Sequence, residues 1–393
     1  MRLVFAAIAV AGSLACDAPV EAPSRSLLVL SSAQTRQVIA YGIDPESGAP
    51  IRESALQFVE TPGALAATAD GSRVYVALLG LPSDRGRGSA IATLGRDETG
   101  ALVELGRSPQ QHSVGFLRLD PTEQFLLAVL YDPGEVAVHR LLDGVCCAPA
   151  GEPQRTEPTA HAAEFDRSGR FVFVPHTETN RIFQFEFDPE TGRLTPNAPA
   201  AVDGPAGEQR SGTRHYAQHP ALDVGYSANE AGGGLTHWQL EPDTGRLSRG
   251  ETLTTVPLDF RGVGAAAQVA VTPDGRWAYV SNRDVTRRAR GERMRDSIAA
   301  FALDARSGAP SSLGTVPTVR FPRSMCIGGS GRYLFVAGQH SDRLIGYRIR
   351  PDDGLLVRGP LIAVPGRPVA LLCLDGIRTG AVRRSAAGGS RSP

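Results

Sequence analysis

Seven side chains suited to handling a proton or an anion fall at matching places of a repeating sequence: His161, Arg214, His215, Glu230, Gln268, Arg283 and Arg323. His161 and Glu230 are each candidates for the general base that activates a water molecule. Arg214, Arg283 and Arg323 carry planar guanidiniums that can hold a carboxylate or phosphate bidentately and stabilise an oxyanion. His215, Gln268 and Arg323 complete the set as substrate-binding candidates, with His161, Glu230, Arg214 and Arg283 as the catalytic ones. Three cations beside one carboxylate leave positive charge unpaired, which suits a small anionic ligand better than a charge network that only satisfies itself. His112, His139, His219, His237 and His340 are scattered without metal spacing, so no metal and no cofactor is expected.

A repeat must bring these residues together. The run Leu27 to Leu30 has counterparts at Val74–Val76, Leu126–Ala128, Phe171–Val174, Val224–Ser227, Trp277–Val280 and Tyr333–Val336, seven copies spaced by 46 to 56 residues. An acidic turn closed by glycine recurs independently seven times, at Gly48, Gly100, Gly144, Gly192, Gly245, Gly308 and Gly354. Glycine fits there because the turn requires a positive φ. Between the two markers lie period-two runs such as Arg181 to Phe187 and Ser297 to Leu303, the pattern of half-buried strands. Four short antiparallel strands repeated seven times make an all-β, seven-bladed β-propeller.

The chain enters at the second strand of a unit, Leu27 to Leu30, and leaves on a first strand, Pro368 to Leu374. The last strand thus completes the first blade and removes the free edge at the seam. Counting back five residues from the turn after each inner strand gives Gly63, Gly115, His161, Arg214, Ala267, Arg323 and Pro368 on one rim. The ends of the second strands add Asn229-Glu230 and Asn282-Arg283 to that rim.

Composition bounds the rest. The 44 glycines and 29 prolines among 393 residues mark a turn-rich chain, while 41% hydrophobic residues is too many for a disordered one. The 41 basic and 41 acidic residues cancel, so no global field draws the chain to nucleic acid. All 41 basic residues are arginine, which excludes Schiff-base chemistry and lysine-dependent phosphate loops. Met1-Arg2 and the apolar run Leu3 to Ala15 predict a signal peptide over 1–15 and an exported, periplasmic or membrane-anchored protein. Ser13-Leu14-Ala15-Cys16 resembles a lipoprotein box, with Cys16 as the lipidation site and the only membrane contact through that anchor. Residues 16–25 read as a tether, 26–376 as the propeller and 377–393 as a disordered tail. Cys326 and Cys373 lie in apolar runs and are expected as buried thiols; for adjacent Cys146 and Cys147 an optional strained vicinal disulfide is expected.

The phrases Pro158-Thr159-Ala160-His161, Thr213-Arg214-His215, Ala228-Asn229-Glu230, Pro273 to Arg283 and Phe321-Pro322-Arg323 resemble motifs of the seven-bladed lactonase family, which includes propeller-type 6-phosphogluconolactonase and carboxymuconate-lactonizing enzymes. Thr159 stands where the family pattern has a second histidine, and Leu130-Tyr131 where it has Asn-Tyr. The resemblance implies a metal-free site at His161, Arg214, Glu230 and Arg283 that hydrolyses an anionic sugar or organic-acid lactone. The alternative is a non-catalytic exported propeller lipoprotein that binds a ligand or protein through the same rim. One insertion, Asp284 to Asp296, carries five arginines and could cap the mouth; a solvated loop is the plainer expectation.

Overall fold

In the computed structural model, which describes residues 25–80, 88–207, 211–287, 289 and 292–377, the period-two runs form strands with one face covered. Along Arg181–Asp188, Ile182, Phe185 and Phe187 are buried while Glu186 and Asp188 are exposed. The strands that begin each anchor run, such as Phe125–Leu130 and Tyr333–Gly338, are buried throughout, which explains their unbroken apolar character. Seven antiparallel sheets result. Blades are numbered here from the one that contains both ends of the described chain.

Blade 1 places Pro368–Ile377 innermost, followed by Arg25–Ser32, Gln37–Ile43 and Pro50–Gln57. Its seam pairs Leu27 with Leu374, Leu28 with Cys373 and Val29 with Leu372, so the ring closes as the terminal strands predict. Blade 3 departs from four strands. Its outer edge is split into Val145–Pro149 and Gln154–Arg155, both paired with Glu135–Leu142.

The core is a set of seven apolar layers, one between each pair of neighbouring blades. The acidic turns key these layers together. All seven of their glycines adopt the positive φ the sequence demands. A Cβ on Gly192 would lie 2.4 Å from Phe125 of the preceding blade, and one on Gly354 would lie 2.4 Å from Trp277. Tyr75, Tyr226 and Tyr279 donate their hydroxyls to Gly144 O, Gly308 O and Gly354 O of the next blade, at 2.8, 2.6 and 2.7 Å. Six of the seven turns, all but that at Gly100, are therefore sockets for an aromatic ring, and the repeat period sets the distance between ring and socket.

Two expectations about cysteine are corrected. Cys326, on the inner strand of blade 7, and Cys373, on that of blade 1, form a disulfide with Cα atoms 5.7 Å apart. Neighbouring inner strands run side by side around the channel, so residues 47 apart in sequence face each other. Cys146 and Cys147 are free thiols and form no vicinal disulfide. Successive strand residues point to opposite faces: Cys146 is buried, its thiol pushed up to about 12 by burial, and Cys147 is half-buried.

Candidate active site

The inner strands of blades 4 to 7 are irregular at His161, Arg214, Gln268 and Arg323, while His215 stays in its ladder. In blade 5, Thr213 pairs with Asn229 and His215 with Ala228, which leaves Arg214 outside the ladder. In blade 7, Pro322 pairs with Gly338 and Ser324 with Ala337, leaving Arg323 outside. Blade 6 sets Ala267 and Gln268 against Ser281 alone. In blade 4, His161 falls in the gap between the Ala160–His176 bridge and the Glu164–Phe173 pair. A bulge bends the strand and re-aims its side chain; here His161, Arg214, Gln268 and Arg323 all line one central cavity of about 1130 Å³.

The second strands deliver the other two residues. Asn282 is clasped by Thr255, whose hydroxyl donates to Oδ1 at 2.6 Å while Nδ2 donates to Thr255 O at 2.7 Å. Asn229 donates to Thr236 Oγ1 at 2.7 Å and accepts from Ser227 Oγ at 3.0 Å. With these asparagines buried and satisfied, the next residues, Glu230 and Arg283, stand at the mouth. Glu230 is fixed by its N–H, which donates to Gly212 O at 2.8 Å.

The structure brings His161, Arg214, His215, Glu230, Arg283 and Arg323 into one cluster. Arg283 Nη2 donates to Glu230 Oε1 at 2.5 Å and to Ala266 O at 3.1 Å, and its Nε to Ala265 O at 3.2 Å. Arg214, only 1% exposed, donates Nη1 to Ala267 O. Its Nε lies 3.7 Å from Glu230 Oε1, too long for a hydrogen bond, and is buried without a partner. The His161 ring packs 5.1 Å from that of His215 and edge-on, 5.7 Å, to that of Tyr131; its buried Nδ1 also lacks a partner.

Electrostatics follow from this crowding. Burial and then the guanidiniums of Arg283 and Arg323 oppose the charge on Arg214, which a guanidinium nonetheless keeps. Burial, then Arg214, His215, Arg323 and Arg283, hold His161 well below the ordinary histidine range; burial, Arg214, Arg323 and Arg283 do the same to His215. Burial alone would raise Glu230, but Arg214, Arg283 and Arg323 outweigh it and keep the carboxyl low. The cluster therefore holds neutral imidazoles, one carboxylate and three guanidiniums. A bound anion would relieve it.

Some candidates do other work. Gln268 accepts from Met325 N at 3.0 Å and ties blade 6 to blade 7 while lining the cavity below the cluster. His219, set aside in the sequence, organises a turn by accepting from Ala221 N and Leu222 N at 3.1 and 3.0 Å. Cys16, the signal peptide and most of the tether lie outside the described residues, as do residues 378–393 of the tail. The basic insertion is pinned by Asp284 N to Asp296 Oδ1, 3.1 Å, and by Arg295 to Asp259, 2.7 Å; none of its described residues lines the cavity. Sequence counting passed over two site neighbours. Tyr131 occupies the second-strand position of blade 3 that Glu230 and Arg283 occupy in blades 5 and 6, so extending the register to every blade finds it. Phe321, 5.2 Å beneath the Arg283 guanidinium at a φ of 57°, carries no such signal.

Comparison with known proteins agrees with this architecture. Residues 27–372 match the family described as lactonase, 7-bladed β-propeller. The chain is 29% identical over 342 residues to the 6-phosphogluconolactonase of Cronobacter sakazakii, covering 86% of this chain and 95% of that protein. It is 30% identical over 259 residues to that of Klebsiella pneumoniae, covering 66% and 74%. Among solved structures, the periplasmic gluconolactonase of Pseudomonas aeruginosa shares the fold at a TM-score of 0.76 and 21% identity, over 90% of this chain and all of that one. With the match spanning nearly the whole ring, the chain belongs to the seven-bladed β-propeller lactonase family.

Proposed function

We propose that the protein hydrolyses a lactone bearing a negative charge, at the mouth formed by blades 4 to 7. The observation that carries this reading is His161, which lines the cavity as an imidazole held neutral by burial and by Arg214, Arg323 and Arg283, beside the single carboxylate of Glu230 that Arg283 engages. A ring carbonyl held there has a base on one side and oxyanion donors around it. His161 takes a proton from water as the water oxygen bonds to the carbonyl carbon. Arg214 and Arg323 stabilise the resulting oxyanion. On collapse the ring C–O bond breaks and His161 returns the proton to the departing alkoxide, leaving a hydroxy acid. Glu230, engaged by Arg283 and close to Arg214, positions the guanidiniums, and they in turn hold its carboxyl below the ordinary range.

Proton release on a panel of glucono-, 6-phosphoglucono- and muconolactones tests the reaction. Acceleration over background is expected for at least one charged lactone, and none on any would overturn the reading. The same assay across pH checks the base. His161 must be neutral to accept a proton, and its environment resists protonation. As pH falls through 6.5, kcat/KM is expected to stay level and to decline only well below it. Arg323→Gln removes one opposing cation and should move that acidic limb upward.

A further inference from the structure

The mouth is chemically two-sided, and the division follows blade order. Each blade offers one rim residue at the start of its inner strand and one just past its second strand. Blades 5 to 7 offer Arg214 with Glu230, Ala267 with Arg283, and Arg323 with Gln339; blades 1 and 2 offer Pro368 with Ala33 and Gly63 with Leu79. Leu79 lies over Gly63 so closely that a Cβ there would be 3.1 Å from its Cδ1, and a methyl group finishes that part of the rim. Inward, apolar side chains line the cavity on several blades, Val269 and Ile327 of blades 6 and 7 included, but among the described residues blades 1 and 2, with Leu65, Ala67, Leu79, Val369 and Leu372, contribute no charged side chain to its wall.

We propose that the lactone opened here carries an apolar alkyl or aryl substituent beside its anionic group. This rests on the lactonase reading above. With the carbonyl and anion held by Arg214 and Arg323, the two guanidiniums of the cluster that line the cavity, a substituent directed across the mouth meets Leu79 and, deeper, Leu65 and Leu372. A ring with a hydroxyl on every carbon would strip water from those hydroxyls against this wall and give them no partner. A cavity of about 1130 Å³ also exceeds what a bare five- or six-membered lactone fills.

The test compares a γ-lactone carboxylate, its butyl and hexyl homologues, and glucono-δ-lactone by proton release. We expect kcat/KM to rise about two- to fourfold per methylene and the rise to flatten in Leu79→Asn. Hydrolysis with a flat or falling series, glucono-δ-lactone being the best substrate, overturns the inference and leaves the lactonase reading standing. If no lactone is opened, that reading fails on its own. Calorimetric titration with the corresponding open-chain hydroxy acids then decides: affinity that grows with chain length supports the apolar subsite, and affinity independent of it removes the subsite too. The wild-type series needs no variant, so a Leu79→Asn protein that fails to fold does not spare the proposal.

Discussion

His161→Asn is expected to lower kcat on the best lactone of the panel by about 10²–10⁴-fold, the range for loss of a positioned general base, with KM changed far less. Asparagine keeps polarity at the site but cannot accept a proton from water at neutral pH. The imidazole makes no hydrogen bond through its buried Nδ1, so the exchange removes no structural bond there, and the thermal midpoint should stay close to wild type. The contrast with Glu230→Gln identifies which residue takes the proton. Glutamine still accepts from Arg283 at Oε1, yet it no longer offsets the charge on Arg214 and Arg283, whose side chains are 2% and 5% exposed. That variant should weaken substrate binding and lose stability while retaining the pH limb set by His161. A kcat fall confined to Glu230→Gln, with His161→Asn active, would exchange the two roles. Steady-state kinetics on both variants, with melting curves alongside, give the answer.

The second large effect concerns the seam. Cys326→Ser or Cys373→Ser is expected to destabilise the propeller by about 2–4 kcal/mol, as loop-closure entropy predicts for a bridge spanning tens of residues. The two cysteines are 47 apart in sequence. The last strand is held on one side by its ladder to Arg25–Ser32. The disulfide holds it on the other, to blade 7, three residues from Arg323. Loss of the bridge should lower the melting temperature by roughly 3–5 °C, and dithiothreitol should do the same to the wild type while leaving Cys373→Ser unmoved. Equal midpoints for oxidised, reduced and substituted protein would sink this account. A structural disulfide belongs in an oxidising compartment, which supports our proposal, drawn from the run Leu3 to Ala15, that the protein is exported. Thiol labelling of protein taken directly from cells checks both points, since recovery with Cys326 reduced and in the cytosol would contradict export.

Much of the fold was legible because its information is local and repeated. The glycine of each acidic turn reports a positive φ wherever it stands, and period two reports a covered face, so seven copies of each mark seven blades without any knowledge of contacts. The terminal strands Leu27 to Leu30 and Pro368 to Leu374 likewise announce ring closure, because the first has no inner strand before it in its own repeat and the second is an inner strand without a second strand after it. Counting along that frame reached His161, Arg214, Glu230, Arg283 and Arg323, since side chains at one register of a propeller share a rim. What the sequence could not carry depends on residues far apart in the chain. The bulges that take Arg214 and Arg323 out of their ladders arise from pairing with a neighbouring strand, and pairing has no signature in either strand alone. The Cys326–Cys373 bridge exists because the inner strands of blades 7 and 1 run side by side around the channel, so that residues 47 apart face each other, a contact neither apolar run announces. The neutrality of His161 is likewise tertiary: only burial among three converging guanidiniums disfavours its charged form, and no spacing of residues along the chain reports a desolvated interior.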